Sequence, residues 1–130
     1  MVKNTTHGEF RVAFDPLEAD DEIIGRMRVT KSYTGGLTGS GVAQMLTVGT
    51  PIEDSAAYVA LEQVTGTLDG RQGAFVLQHT GTMRRGEGGL SVTVVPDSGT
   101  GELLGLHGTC TIENLGTQHR YVLDYTIDNL

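Results

Sequence analysis

Three ionisable side chains, Lys31, Glu62 and His79, fall in line with apolar residues at two-residue spacing. That spacing places them on the more apolar face of a β-strand. A buried carboxylate beside a cation can act as a general base or orient a ligand carbonyl. The alternatives are a structural ion pair and long side chains that extend to solvent at the rim of the fold. The aligned neighbours are Met27, Val29 and Tyr33 for Lys31, Tyr58 and Ala60 for Glu62, and Phe75 and Leu77 for His79.

The sequence predicts a candidate site from these groups and the aromatic residues around them. Glu62 and His79 are the predicted catalytic residues, because either could move or stabilise a proton. We expect Glu62 to point into an apolar cavity, with Lys31 as its counter-charge and His79 nearer the mouth. The tyrosines have an alternative role, in which they fill the core and their hydroxyls find partners nearby. The predicted ligand contacts are Lys31, Tyr33, Tyr58, Phe75 and Tyr125.

Glu62 and His79 belong to residues 58–83, which are predicted to form two antiparallel strands. Between the strands, Asp69-Gly70 supplies the positive φ that a tight hairpin needs. Pairing about Gly70 would put position 62 roughly opposite position 78. Glu62 and His79 are therefore expected to be near-diagonal neighbours and not directly opposed.

The same alternation recurs along the chain, and no segment of ten or more residues has a helical period. Eight short strands separated by turn signals indicate a β-barrel or a sandwich with almost no helix. An antiparallel barrel is favoured because closure removes exposed edges, and eight strands leave an interior that is filled or holds one small ligand. Besides the hairpin, the predicted strands are residues 8–14, 25–34, 37–48, 90–95, 104–113 and 118–127.

Four further predictions concern the N-terminal tail, the domain, the third strand and one turn. Residues 1–7 are expected to be a flexible N-terminal tail, and residues 8–130 a single β-barrel domain. Gly39 and Gly41 predict bulges or strong bends in the third strand. Residues 97–103 are predicted to form a turn or a single helical turn.

Composition restricts the class of partner. The 130 residues carry a net charge of −7, and no basic patch is visible, so nucleic acid and membrane surfaces are poor partners. The single cysteine, Cys110, cannot form an internal disulfide, which fits the cytoplasm, as does the lack of an apolar leader. The four histidines have no metal-ligand spacing, so no metal is expected. The glycines around position 100 lack a dinucleotide-binding context, and no cofactor is expected.

Three groups of segments carry a family resemblance. They are KSYTGGLTG at residues 31–39; YVALE, LDGR and GAFVLQH at 58–62, 68–71 and 73–79; and VPDSGTGEL and YVLDY at 95–103 and 121–125. Together they resemble an uncharacterised bacterial family, the domain of unknown function numbered 3224. That family is similar in architecture to the allene oxide cyclase barrel. The resemblance implies an eight-stranded antiparallel barrel, a cavity open at one end and oligomers, but it assigns no catalytic residue.

These observations lead to two hypotheses of function. In the first, a small barrel binds a small, mostly apolar organic molecule in its lumen and acts as an isomerase or cyclase without a cofactor. In the second, it is a ligand-binding or protein-interaction barrel with no chemistry. The two differ in whether Glu62, His79 or Lys31 converge at a reachable pocket. Apolar residues on both faces of the hairpin, among them Val59, Leu61 and Val76, further predict a homodimer, with a trimer as the alternative.

Overall fold

The computed structural model describes residues 3–116 and 118–128, and in them it forms nine β-strands and no helix. None of these segments is therefore a helix long and apolar enough to cross a membrane. The strands are β1 (Asn4–Leu17), β2 (Ile24–Gly35), β3 (Leu37–Gly49), β4 (Ala56–Leu68), β5 (Arg71–Arg84), β6 (Glu87–Val94), β7 (Thr100–Gly101), β8 (Leu106–Asn114) and β9 (Gln118–Ile127).

Eight of these strands close into an antiparallel barrel, as the two-residue alternation predicted. Each strand from β1 to β5 pairs with the next, β6 pairs with β8, β8 with β9, and β9 returns to β1. The ninth strand, β7, is two residues long and adds to β5 at Gly73 and Ala74. Closure gives each of the eight long strands a partner on both sides without a covering helix. Among the pairings of these eight strands, β6–β8 is the shortest, with Val92 opposite Cys110 and Thr93 opposite Thr109.

The strand bounds differ from the predicted ones at the start of the chain and near residue 104. β1 begins at Asn4, so residues 4–7 of the predicted tail pair with β9, and Thr6 is buried. Met1 and Val2, at the start of the predicted tail, lie outside the described residues. The segment predicted as a turn or a helical turn contains β7 and turns but no helix. Its predicted successor strand begins at Leu106 and not at residue 104.

The central hairpin forms at the predicted turn. Asp69 has φ 47° and Gly70 has φ 88°, the two positive values of a type I′ turn. The turn sets the register between β4 and β5, with Leu68 paired to Arg71. Position 62 consequently lies opposite Leu77, one residue from the predicted register. The relation that matters for the site is unchanged, because His79 lies opposite Ala60 and therefore diagonal to Glu62 on the same face.

The glycines of β3 do not interrupt the sheet. Pairing with β2 and with β4 runs continuously through Gly39 and Gly41, so the predicted bulges are absent. A Cβ on Gly41 would instead meet the Glu62 carboxylate at 2.1 Å. Gly41 thus leaves room inside the barrel for the Glu62 side chain.

One end of the barrel is closed by its own side chains. The hairpin turns at residues 35–37 and 69–70 lie here, and the connection from β6 to β8 adds Leu103, which is fully buried. The hydroxyl of Tyr121 accepts from the Leu37 N–H at 2.9 Å. Apolar packing at this end fixes the barrel, and it leaves the opposite end as the place where an opening can form. The buried cluster includes Phe10, Tyr33, Leu37, Val64, Leu68, Phe75, Leu77, Leu103, Leu106, Tyr121, Leu123 and Tyr125.

The outer wall carries an apolar patch on β3 and β4, which we call the outer patch: Val42, Leu46, Val59 and Leu61. Each is about half exposed. The pairing places Leu46 directly beside Val59, and a cavity of about 490 Å³ includes Leu46, Val59 and Leu61 in its lining. Val76, the third residue named from sequence, is only partly exposed, and its backbone binds the segment at 95–98.

Candidate functional site

A cavity of about 770 Å³ occupies the open end of the barrel. Its size lies within the range of sites that enclose a small organic molecule. Most of its wall is apolar, and the polar groups on it are few. The apolar lining is Phe10, Val12, Phe14, Met27, Val29, Ala43, Met45, Val48, Gly49, Ala56, Ala57, Ala60, Leu90 and Ile112, and the polar lining is Lys31, Thr47, Tyr58, His79, Asn114 and His119.

Glu62 lies at the inner end of this cavity and is completely buried. Its Oε1 accepts from Lys31 Nζ at 2.9 Å and meets His79 Nε2 at 2.7 Å. Its Oε2 accepts from the Tyr33 hydroxyl at 2.5 Å. The buried carboxylate therefore has a counter-charge and a hydrogen-bonding partner at each oxygen, as a charge removed from water requires.

The sheet geometry explains how residues from three strands meet. Lys31 on β2 is paired with Gly41 on β3, and Gly41 is paired with Val64 on β4. Glu62 is two residues from Val64 on the same inward face, so its side chain can cross β3 toward Lys31. It does so over Gly41, which has no side chain to block it.

The charges of this cluster set the direction of two pKa shifts. Burial by itself would raise the pKa of Glu62, but the hydrogen bond with His79, the charge of Lys31 and the hydrogen bonds from Tyr33 and Lys31 together hold it below its ordinary value. Burial and the adjacent Glu62 carboxylate raise the pKa of Tyr33 well above its usual range. At neutral pH the cluster thus holds a carboxylate and a neutral phenol.

Two members of the cluster are exposed to the cavity, Lys31 and His79. His79 is 5% exposed and uses Nε2 for Glu62, so Nδ1 is the ring nitrogen left for a molecule in the cavity. Lys31 has three N–H groups, of which one serves Glu62. Its ammonium also lies 4.7 Å from the centre of the Phe10 ring, a cation–π distance.

The structure separates the predicted site residues into three groups. Lys31, His79 and Tyr58 line the cavity. Glu62 points inward and pairs with Lys31 as predicted, yet it lies behind Lys31 and His79 and not on the cavity wall. Tyr33 also contacts Glu62 from inside the core and does not line the cavity.

Two predicted ligand contacts lie away from the cavity. Phe75 is 1% exposed and packs in the cluster at the closed end. Tyr125 donates its hydroxyl to Asp69 Oδ2 at 2.6 Å, and Thr6 donates to the other oxygen of Asp69 at 2.8 Å. These groups join β1, β9 and the central turn. Phe75 and Tyr125 both point into the barrel, as their alternation predicted. They do not reach the cavity, because they lie nearer the closed end along the barrel axis.

Sequence reasoning missed one polar wall of the cavity, formed by Asn114 and His119 on paired strands β8 and β9. His119 stacks on Phe10 with ring centres 4.9 Å apart. Its Nδ1 is buried and has no hydrogen-bond partner among the described residues. The signal was present in the sequence, since His119 alternates with Tyr121 on the inward face of the last strand.

Cys110 and clusters of metal ligands are the other features that could have supplied chemistry. Burial raises the pKa of Cys110 to about 12, with opposing effects from Lys31 and Glu62, so its thiol stays protonated and is not a nucleophile. No group of three or more histidine, cysteine or acidic side chains within residues 3–116 and 118–128 is arranged to hold a metal ion.

Comparison with known proteins gives a family match. The family of proteins of unknown function DUF3224 matches residues 6–125. The chain belongs to the DUF3224 family. A crystal structure of a DUF3224 protein with unknown function from Shewanella oneidensis MR-1 is 40% identical, spans 99% of this chain and 100% of its own, and superposes with a TM-score of 0.94. Among curated proteins, none matches this chain.

Proposed function

We propose that this DUF3224 protein binds a small, mostly apolar organic molecule in the cavity and isomerises or cyclises it by moving a proton, without a cofactor. The proposal also includes a barrel similar to that of the allene oxide cyclases, as the family resemblance of the chain's segments implies. The lining supports an apolar ligand, because a molecule that fills about 770 Å³ of mostly apolar space gains free energy from the surface it buries.

The observation that carries the proposal is the convergence of Lys31 and His79 on one oxygen of Glu62, at the inner end of that cavity. A buried carboxylate that accepts from an imidazole N–H fixes the ring orientation and tautomer, and it stabilises the imidazolium that forms on proton transfer. In this arrangement His79 exchanges the proton with the ligand, and Glu62 is a positioning residue.

The second candidate is a barrel that binds its ligand without chemistry. It is favoured by the complete satisfaction of Glu62, whose two oxygens both bond protein donors and whose charge is matched by Lys31. A structural ion pair of this kind needs no substrate. The two candidates share the cavity and differ in whether His79 moves a proton.

A fluorescence titration with the neutral probe N-phenyl-1-naphthylamine tests the cavity. Ala60 lies on the cavity wall beside His79, so the Ala60→Phe variant should fill the space and weaken binding by about tenfold or more. The control is Thr65→Phe, which adds the same ring at an exposed position of the same strand. Saturable binding that Ala60→Phe leaves unchanged would contradict the location, and no binding by the native chain would contradict the proposal.

We propose the cytoplasm as the location, because Cys110 is an unpaired thiol that suits a reducing compartment. We also propose a homo-oligomer, a dimer with a trimer as the alternative. Val59 and Leu61 of the outer patch are not covered by the loops of the chain itself, and a second copy of the patch would bury them.

A further inference from the structure

We propose that the ligand of this cavity is an uncharged carbonyl compound, a saturated or β,γ-unsaturated ketone, from which His79 removes a proton at the carbon next to the carbonyl group while Lys31 holds the carbonyl oxygen. This inference rests on the function proposed above and specifies its substrate class. It follows from three features: the charge balance at the inner end of the cavity, the charge of its mouth, and the two groups that face the ligand.

The lysine at the inner end of the cavity is already paired with a carboxylate. The Lys31 ammonium is matched by the Glu62 carboxylate at 2.9 Å, and Tyr33 stays neutral beside it. A ligand carboxylate placed here would compete with Glu62 for the same ammonium in a site of low dielectric, where like charges repel strongly. A neutral carbonyl oxygen needs only a hydrogen-bond donor, and Lys31 has N–H groups to spare.

The mouth of the barrel also disfavours an anion. Two of the loops that surround the opening, residues 18–23 and 50–55, carry six carboxylates: Glu18, Asp20, Asp21, Glu22, Glu53 and Asp54. The two loops contain no lysine or arginine. The turn between β5 and β6 lies against the second loop and adds Arg84 and Arg85, but the six carboxylates outnumber these two cations. Together with the net charge of −7, this excess of carboxylates gives the opening a negative potential that repels anionic ligands and leaves uncharged ones unaffected.

Lys31 and His79 are close enough to act on adjacent atoms of one ligand, because both contact the same Glu62 oxygen. Lys31 Nζ can donate to the carbonyl oxygen while His79 Nδ1, the nitrogen opposite Glu62, accepts the proton from the neighbouring carbon. The surrounding wall is apolar. Low polarity strengthens the attraction between an ammonium and a developing oxyanion, and that attraction is largest when the proton has left.

The proton and electrons balance without an external reagent. The C–H bond pair becomes the new C=C bond, the carbonyl π pair moves to oxygen, and the proton passes to His79 Nδ1. The resulting imidazolium keeps its Nε2–H on the Glu62 carboxylate, and the oxyanion is held by Lys31. The imidazolium then returns the proton to the same carbon or, in a β,γ-unsaturated ketone, to the γ-carbon at the end of the conjugated dienolate, which moves the double bond into conjugation with the carbonyl.

The test compares three bicyclic probes of nearly equal size by calorimetric titration: naphthalene, 2-naphthol as a mimic of the enol, and 2-naphthoate as the carboxylate. We expect naphthalene to bind, 2-naphthol to bind about tenfold tighter or better, and 2-naphthoate to bind more weakly than naphthalene. The chemical step is followed by NMR in D₂O as exchange of the protons beside the carbonyl of 2-tetralone, which should be faster with protein than in buffer.

Matched variants assign the roles. His79→Gln should slow the exchange by about 10²–10⁴-fold, and Lys31→Met by about 10²–10³-fold. His107→Gln is the control, since His107 bonds Asp128 on the exterior and should leave the rate unchanged. Because Lys31→Met leaves Glu62 without its counter-charge, the double variant Lys31→Met/Glu62→Gln removes both charges together, and circular dichroism checks that it folds.

The outcomes separate this inference from the proposed function. If none of the three probes binds, the apolar cavity function itself fails. If naphthalene binds but 2-naphthoate binds at least as tightly as 2-naphthol, the cavity stands and the uncharged-carbonyl class is wrong. If 2-tetralone exchanges no faster than in buffer, or at the same rate with His79→Gln, the proton-transfer step is overturned and the binding barrel remains.

Discussion

At the scale of the residue, Glu62 is the group on which the site depends. It is fully buried, its charge faces Lys31, and His79 and Tyr33 complete its contacts. Removing one partner of a buried ion pair leaves the other charge unmatched, which costs more than the pair itself contributes. The consequences of changing Glu62 therefore include stability as well as any activity.

Glu62→Gln keeps the shape of the side chain and removes its charge. We expect the barrel to fold, the free energy of unfolding to fall by about 3 kcal/mol because Lys31 loses its counter-charge, and ligand binding or turnover to be weakened or lost. Urea denaturation measures the change in the free energy of unfolding. The control is Glu113→Gln, at an exposed carboxylate 4.0 Å from Arg120, which should change stability by less than about 0.5 kcal/mol. Equal effects of the two substitutions would contradict the role of Glu62.

The lowered pKa of Glu62 makes a prediction about pH. The ordinary value is 4.5, and the folded value lies below it, so the contribution of Glu62 to stability is present above pH 4.5 and is lost as the pH falls through the folded pKa. Urea midpoints between pH 7 and pH 3 should therefore decrease more steeply on acidification for the native chain than for Glu62→Gln. Parallel profiles for the two proteins would show that the carboxylate is not stabilised by folding.

At the scale of the element, β3 acts as a bridge between the charged residues of β2 and β4. Its Gly41 leaves room for the Glu62 side chain to pass. The strand itself is regular, since its pairing is continuous on both sides. Gly41 matters because it has no side chain. Adding a single methyl group at this position tests that role.

Gly41→Ala should displace the Glu62 carboxylate, because the new Cβ would lie 2.1 Å from Oε2. We expect a loss of about 1–3 kcal/mol of stability from overpacking and a weaker hydrogen bond to Tyr33. Gly49→Ala is the control on the same strand, where a Cβ meets nothing within 4 Å, and its stability should be unchanged or slightly higher. Thermal unfolding of both variants checks the difference, and similar losses in the two would contradict it.

At the scale of the whole molecule, the closed end and the outer patch have different consequences. The closed end places the cavity at the opposite mouth, whereas the outer patch provides apolar area that the chain leaves in water. A surface of this kind on a strand wall is typical of a contact between subunits. We expect light scattering at micromolar concentration to give twice the 13.8 kDa mass of the chain, or three times that mass for a trimer.

The double variant Leu46→Lys/Leu61→Lys should give the mass of one chain, because two buried ammonium groups would be placed in the contact. Thr109→Lys/Thr111→Lys adds the same charge to exposed positions of β8 and should leave the mass unchanged. A native chain that scatters as a monomer would remove the proposal, and so would an oligomer that the outer-patch variant leaves intact.

The sequence by itself determined the local geometry of this protein. Period-two alternation specifies strands and their faces, because successive side chains of a strand point to opposite sides. Asp69-Gly70 specifies a two-residue turn, because few other residues accept two positive φ values in succession. Together these placed Glu62 and His79 on one inward face and diagonal to each other, and they made an all-β barrel the expected fold.

Only the tertiary structure decided position along the barrel axis. Phe75, Tyr125 and His79 have the same inward parity, yet the first two are at the closed end and His79 lies at the cavity. Alternation identifies a face but carries no information on depth, which depends on strand stagger and on which connection fills which end. The contact of Lys31 with Glu62 across β3, the room over Gly41, and the wall formed by Asn114 and His119 arise from strands distant in sequence, whose pairing is fixed only when the barrel closes.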